Sequence, residues 1–381
     1  TKHMEMLIAG DLVPTKSNID LFNNANVYEL LGEELFSIWI TADIRIFNLE
    51  TPITDKENPI DKCGPNLIAP TSAIKGIKAL IPSLITLANN HILDQGETGL
   101  HSTKNILNEY GIPFVGIGEN QSEASKPYII RNEKYKVGVY ACAEHEFTIA
   151  TDSNSGANPF DPLESLDHIQ ELSNQCDYTI VLYHGGKEHY RYPSPYLQKV
   201  CRKIVQKGAN LVVCQHSHCV GSFEEFEDSI IVYGQGNFIF DYAESEYWNT
   251  SLLIKVDIDN SLEVEFIPIV KNENTVRLAI GQDKEDILSA FYIRSKEILQ
   301  DNLVEEKYQE FAKKNIGDYL RSFSGSGKWG SRIDRYLFGG KLIEKRFNKQ
   351  KLLAVKNYVE CEAHRELVLA GLKGVKICGK E

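Results

Sequence analysis

The chain has 381 residues, and what it lacks narrows its class first. No run of about 18 or more apolar residues occurs, so nothing in it reads as a membrane-spanning helix. None of its eight cysteines forms a C-x-x-C pair, and several sit inside apolar runs; they read as buried free thiols of a reducing compartment. Positive charge is in deficit. The formal net charge of −12 disfavours nonspecific binding to DNA, RNA or an anionic membrane, so no nucleic-acid partner is expected. There are no internal repeats and no low-complexity tracts. The opening TKHMEMLIAGDL enters an apolar run of only a few residues, without the apolar core and small-residue cleavage site of a secretory signal. Thr1-Lys2-His3 ahead of Met4 reads as a cloning remnant. Together these point to a cytoplasmic protein.

An apolar content of 42% and a charged content of 25% are ordinary for a globular protein, and the length suffices for one large domain with an appendage. Up to about residue 270, short β-type runs alternate with helical stretches. EMLIAG, IRIFNL, SLITLA, YTIVLY, ANLVVCQ and SIIVYGQG read as strands. Residues 26–40, 71–80 and 97–111 and the stretch PSPYLQKVCRKIVQKG read as helices. The pattern is α/β, turning mostly β toward its end. Beyond it the sequence becomes charged and helically periodic, interrupted by SGSGKWGS at 324–331. The expected division is a main domain over 4–283 and a helical appendage over 284–381. Lys341, Lys345, Arg346, Lys349 and Lys351 make a basic helical stretch there, suited to docking on the acidic main domain or an acidic partner.

The strand ends carry the chemistry. Six times an apolar strand runs at once into a carboxylate, amide or imidazole: Asp11, Glu50, Asn89-Asn90-His91 with Asp94 behind, His184-Gly185-Gly186, His216-Ser217-His218, and Asn237. In open α/β sheets ligands bind beyond the carboxyl ends of the strands, so these residues can converge on one rim. Singly, each has a structural explanation. Asp11 can cap a turn, Glu50 and Asn90 can serve turns, and His91 with Asp94 can be a local hydrogen-bonded pair. His216 and His218 are the strongest pair, because alternation in an extended segment puts both rings on one face. Jointly the residues form a mixed O/N donor set. Such a set suits Zn²⁺, Mn²⁺ or Fe rather than Ca²⁺ or a thiolate site. There are more candidates than one catalytic metal needs. They fit two divalent ions sharing a carboxylate, a device that hydrolyses phosphoesters and also amides. His101, His145, His168, His189 and His364 lack this context and read as structural or surface residues.

The ordered segments GD (10–11), NLETPIT (48–54), LANNHILDQG (87–96), HGGKEHY (184–190), GANLVVCQHSHCV (208–220) and YGQGNFIFD (233–241) resemble the capsule-synthesis CapA family, also called poly-γ-glutamate capsule biosynthesis proteins. That family is similar in turn to the calcineurin-like metallophosphoesterases. The resemblance implies a four-layer α-β-β-α sandwich with the metal site on one rim. It also implies roles. Asp11 and His218 would hold the first metal, Glu50 would bridge, and Asn90, His184 and His216 would hold the second. His91, oriented by Asp94, would protonate or stabilise the leaving group, and the nucleophile would be a metal-bound hydroxide. Two departures stand out. Val13 occupies the position where phosphoesterases usually carry a further His ligand, with Glu188 a candidate replacement. Gly185 follows His184 where the family often has a bulky aromatic, which would open the cleft.

Three functional classes follow. The first is a metal-dependent hydrolase of a phosphoester in capsule or surface-polymer synthesis. The second is an amide (γ-glutamyl) hydrolase, or a ligase or transfer role in poly-γ-glutamate-like polymer synthesis, since amides and phosphoesters both develop oxyanion charge that two metals stabilise. The third is a non-catalytic subunit of a polymer-synthesis complex, which Val13 favours and the intact remainder of the site disfavours. The expected substrate is a small molecule or polymer precursor. Arg191, Tyr190 and Asn237 are the candidate residues to hold it.

Overall fold

A computed structural model describes residues 3–375. It falls into two compact units, Thr1–Glu305 and Glu306–Glu381. In the first unit β1 (Met4–Leu12), β2 (Ile44–Leu49), β3 (Leu84–Thr86) and β4 (Phe114–Val115) lie side by side and parallel. A two-stranded ribbon, β5 (Ile117–Gly118) with β8 (Gly156–Ala157), follows. A second sheet opens with the hairpin β6 (Tyr128–Arg131) and β7 (Lys136–Ala143). Onto it add β9 (Tyr178–Gly185), β10 (Leu211–His216), β12 (Ser229–Val232) and β11 (Phe223–Phe226), in the order β11-β12-β10-β9-β7-β6. The chain then returns to the first sheet. There β13 (Asn237–Ile239) joins β1 in parallel, and β14 (Thr250–Ile258), β15 (Leu262–Asn272) and β16 (Thr275–Leu278) extend the other edge antiparallel.

Strand alternation explains how the sheets stack. In β9 and β10, Ile180, Leu182, Leu211 and Val213 point into the core shared with the first sheet. Their neighbours Val181, Tyr183, Val212 and Cys214 point outward, against Leu172 and Ile169 of the helix Ser165–Gln175 and Val200, Cys201 and Ile204 of the helix Pro195–Gln206. On the far side of the first sheet, Leu35 and Trp39 of the helix Glu33–Thr41 and Ile74 and Ile77 of the helix Ile74–Ala79 close the stack. The result is the expected helix–sheet–sheet–helix arrangement. Both sheets bury both faces, which is why their strands read as near-continuous apolar runs rather than alternating ones.

Two sequence expectations shift. The stretch 26–40 is not one helix but two, Val27–Leu31 and Glu33–Thr41, broken at Gly32, whose φ of 74° no other residue type adopts readily. The first unit also continues past the expected boundary at 283 to Glu305. The helix Gly281–Glu297 looks like appendage by its charge, yet Phe291 stacks on Phe223 at 5.1 Å and meets Phe266 at 4.8 Å. A narrow apolar stripe of Ile287 and Phe291 suffices to dock it. The second unit is helical, with Lys328–Leu337, Lys341–Arg346, Lys349–Glu360 and Glu362–Lys373 following the long helix Leu303–Phe323.

Of the cysteines, Cys142, Cys201, Cys214 and Cys219 are buried free thiols as expected, but Cys63 is exposed. Cys378 lies outside the described residues. No helix among the described residues is long and apolar enough to cross a membrane.

Candidate metal centre

The two sheets present their strand ends to one another at a single rim. From the first sheet come Asp11 at the end of β1, Glu50 immediately after β2, and Asn90 after β3. From the second come His184 in β9, His216 at the end of β10, and His218. One close approach sets Asp11. A side chain on Gly10 would put its Cβ 2.0 Å from the Gly236 carbonyl oxygen, so only glycine lets β1 lie against this segment. That approach registers Asp11 opposite both Asn48 and Asn237.

The convergence is tight and buried. Ligand atoms of Asp11, Glu50 and His184 lie within 4.8 Å of one another, and so do those of Glu50, His216 and His218. Glu50 belongs to both groups. By this measure His184 sits with Asp11 and His216 with His218, a grouping that cuts across the ligand assignment implied by the resemblance. Other distances link the groups the other way: His218 Nδ1 is 3.6 Å from Asp11 Oδ2, and His184 Nε2 is 3.0 Å from the Asn90 side-chain oxygen.

The histidine pair reaches the site by a different route from the one alternation suggests. β10 ends at His216, and both residues are left-handed, with φ of 92° for His216 and 55° for His218. Such angles are costly for residues with a Cβ and cluster at functional sites. They bring the ring centres to 5.7 Å, and His216 lies 4.9 Å from His184.

Whether these residues fit a cation can be judged from what they leave unsatisfied. Glu50 is 1% exposed, yet neither carboxylate oxygen accepts a hydrogen bond. His184 Nε2 stands 3.0 Å from Oε2, but not in hydrogen-bonding geometry. His216 Nδ1 is also buried without a partner. Buried polar atoms are nearly always paired, because an orphaned carboxylate is expensive. A shared carboxylate with both oxygens open, ringed by imidazoles, fits divalent cations.

Electrostatics agree. Burial, then the neighbouring Glu50, pushes the Asp11 carboxyl up to about 7. Burial pushes His184 down to about 4 and His216 well below the usual imidazole range, keeping both neutral and able to ligate. For His218 burial works in the same direction but is outweighed by Glu50 and Asp11, which hold it raised.

Side chains that the sequence does not single out support the candidate ligands. Asn48 donates to Asp11 Oδ1 at 2.7 Å, and Asn89 donates to the Asn48 oxygen at 3.2 Å and to the Leu49 carbonyl at 2.8 Å. The asparagine in NLE was the available signal for the first. His91 Nδ1 lies 2.5 Å from Asp94 Oδ2, the expected pair. Lys62, only 3% exposed, completes it with its ammonium 2.7 Å from Asp94 Oδ1 and 3.5 Å from His91 Nδ1. His189, read as a surface residue, stands 6.4 Å from the His218 ring, and Trp248 packs on His218 at 4.9 Å.

The expected substrate residues are otherwise occupied. Asn237 accepts from His218 Nδ1 through its side-chain oxygen at 2.8 Å, so it orients a candidate ligand. Arg191 is held by Glu246, by the Val220 carbonyl at 3.0 Å and by the Tyr247 ring at 4.3 Å. Tyr190 is buried against Tyr192. Gly185 does not open the cleft either. A Cβ there would lie 2.0 Å from Glu144 Oε1, so the space an aromatic would take is filled by Glu144, which accepts the Gly186 N–H. Val13 is buried, with its N–H on the Ile239 carbonyl. Glu188 approaches His216, at 3.7 Å, and Glu146 lies 3.8 Å from the same ring.

The profile of the bacterial capsule synthesis protein PGA_cap family matches residues 5–242, which takes in every ligand candidate. The chain belongs to that family. Its curated relatives include the capsule biosynthesis protein CapA of Bacillus anthracis, 30% identical over 222 residues, covering 54% of this chain and 52% of that protein. The PGA biosynthesis protein CapA of Bacillus subtilis is 27% identical over 225 residues, covering 57% and 58%. The chain thus spans about half the length of the curated relatives it matches. Solved structures similar to it include a phosphatase of Mycoplasma pneumoniae and a 5'-nucleotidase described as putative from Staphylococcus aureus. The first has 13% identity, a TM-score of 0.44 and coverage of 76% of this chain and 98% of that one. The second has 16% identity, a TM-score of 0.46 and coverage of 76% and 58%.

Proposed function

We propose that this PGA_cap protein is a metal-dependent hydrolase that cleaves a phosphoester in capsule or surface-polymer synthesis, using two divalent cations of the Mn²⁺, Zn²⁺ or Fe type. The observation that carries the reading is Glu50, buried, open at both oxygens and common to both ligand groups. Asp11, Glu50, Asn90, His184, His216 and His218 would hold the ions, which supply charge stabilisation and water activation when bound. The chain's own part is orientation and proton transfer. Asn48 and Asn237 fix Asp11 and His218. Asp94, anchored by Lys62 and by the Leu67 N–H at 2.7 Å, holds His91 by Nδ1. That leaves Nε2 to give a proton to the leaving group. Seven described cysteines are free thiols, which supports a cytoplasmic, reducing location and a precursor as substrate.

A second reading, amide hydrolysis or transfer at a γ-glutamyl linkage, is favoured by one observation. Glu146 and Glu188 flank His216 from the solvent side. Two carboxylates there oppose an anionic phosphoester and suit an amine. The test is a paired assay of the metal-loaded protein on bis(p-nitrophenyl) phosphate and γ-glutamyl p-nitroanilide. Phosphodiester turnover abolished by Glu50→Ala supports the first reading, and turnover of the anilide alone supports the second. Turnover of neither by a metal-loaded protein returns the chain to a non-catalytic role.

A further inference from the structure

The whole-chain charge conceals an asymmetry. Residues 306–381 carry 17 Lys and Arg against 9 Asp and Glu, a balance of +8, which leaves −20 on residues 1–305. Such an asymmetry between regions is a signature of an interaction tail. The positive charge is also organised. In the helix Lys328–Leu337, Trp329, Ile333, Tyr336 and Leu337 fall within an arc of about 100°, and Lys328, Arg332 and Arg335 within an adjoining arc of about 60°. The remaining side carries Asp334. It is buried, pairs with Arg321 at 3.2 Å and accepts the Leu342 N–H at 2.9 Å.

Asp334 therefore sets which side faces inward, and it turns the apolar arc out. Trp329 is 77% exposed, Tyr336 77% and Leu337 75%. An inward polar anchor with an outward aromatic face is the reverse of a helix packed for stability. The pattern continues across the Gly339-Gly340 turn: Phe338 before it and Leu342 after it are exposed, and Lys341, Lys345 and Arg346 add charge. Arg335 meets Asp318, but Lys328, Arg332, Lys341, Lys345 and Arg346 have no carboxylate within ion-pair distance among the described residues.

We propose that the segment Lys328–Phe347 is an interfacial membrane-binding element that lays Trp329, Tyr336 and Leu337 into the headgroup region of an anionic bilayer, with the lysines and arginines on lipid phosphates. The occupant follows from chemistry. An aromatic–aliphatic arc bordered by a basic ridge matches the boundary between acyl chains and anionic headgroups. An acidic protein surface would match the ridge and leave the aromatic arc in water. The inference is independent of the hydrolase reading, and the segment lies outside the family match at 5–242.

The full chain is tested by co-sedimentation with phosphatidylcholine vesicles, with and without phosphatidylglycerol, and by tryptophan emission. Trp39 is buried and Trp248 is half-buried against His218, so the part of a blue shift on binding that disappears in Trp329→Phe reports the proposed face. Binding is expected only with phosphatidylglycerol, weakening with salt. It should fall about tenfold or more in Arg332→Glu/Arg335→Glu and in Trp329→Ser/Leu337→Ser, both checked for folding by circular dichroism. Lys356→Glu/Arg365→Glu, which removes tail charge elsewhere, is expected to bind almost as well as wild type. Absence of wild-type binding overturns the proposal. So does an equal loss in the Lys356/Arg365 pair, which would mean diffuse charge attraction, and so does a concentration-dependent dimer that shields Trp329 without vesicles.

Discussion

The two sheets bring different chemistry to the same rim. The eight-stranded sheet delivers oxygen: Asp11, Glu50 and Asn90, with Asn48 behind them. The six-stranded sheet delivers imidazole: His184, His216 and His218. Each half is unsatisfactory alone. The oxygen half buries two carboxylates side by side, and Asp11 is driven up to about 7, by burial first and by Glu50 second. The imidazole half is held mostly neutral by burial, so it cannot supply the missing positive charge. Only His218 is raised, and it must serve both carboxylates. The contrast teaches that the site is an anionic cup facing neutral donors, an arrangement that divalent cations complete.

The widest test of that contrast is to supply or withdraw the cation. Stripping metal with a chelator is expected to abolish turnover and lower the Tm. Re-adding Mn²⁺ or Zn²⁺ at about one hundred times its Kd should restore about 2.7 kcal/mol of stability for each site filled, read from thermal unfolding. Removing the proposed proton donor while leaving both halves intact comes next. His91→Ala is expected to cost about 10²–10⁴ in kcat/KM with metal content unchanged. A loss of metal in that variant would make His91 a ligand instead. Asn48→Ala touches only the support of the oxygen half, and a metal titration should show affinity reduced about 10–100-fold.

The smallest effect concerns Lys271, whose half-buried ammonium donates to the Phe240 carbonyl at 3.2 Å, on the segment leading away from the site. Burial lowers its pKa to about 7, against the pull of Asp241. Below about 7 the lysine is charged in both folded and unfolded chains, and the full cost of burying the charge is present. As pH rises above that value the folded form loses its proton first and the unfolded form keeps it, so stability increases. Lys271→Met should therefore raise the Tm by about 2 °C or more at pH 6, with the gain shrinking toward pH 10. A gain independent of pH would mean that packing, not charge, is responsible.

Much of this was legible in the chain because apolar runs ending abruptly in Asp, Glu, Asn or His state both a strand and a rim. The shared core made those runs conspicuous, since strands buried on both faces are apolar throughout. What was not legible depended on conformation or on distance along the chain. The left-handed backbone of His216 and His218 carries no residue signature, so the sequence suggests an alternation that the structure replaces with a turn. Lys62 sits 32 residues from the Asp94 it neutralises, in a stretch with no periodicity. Gly185 pointed to an open cleft because a deleted side chain says nothing of which neighbour, here Glu144, fills the space. The helix Gly281–Glu297 joins the first unit through two aromatic contacts that its charged exterior does not announce. A net charge summed over the whole chain hid the basic tail.

The central claim, that Glu50 is shared by two cations, is tested most directly by elemental analysis of the purified protein beside Glu50→Ala and His216→Ala. About two metals per chain in the wild type, with both lost in Glu50→Ala, is the expected result. A wild-type chain that binds no metal even after reconstitution with Mn²⁺ or Zn²⁺, or a Glu50→Ala variant that keeps its full complement, would contradict it.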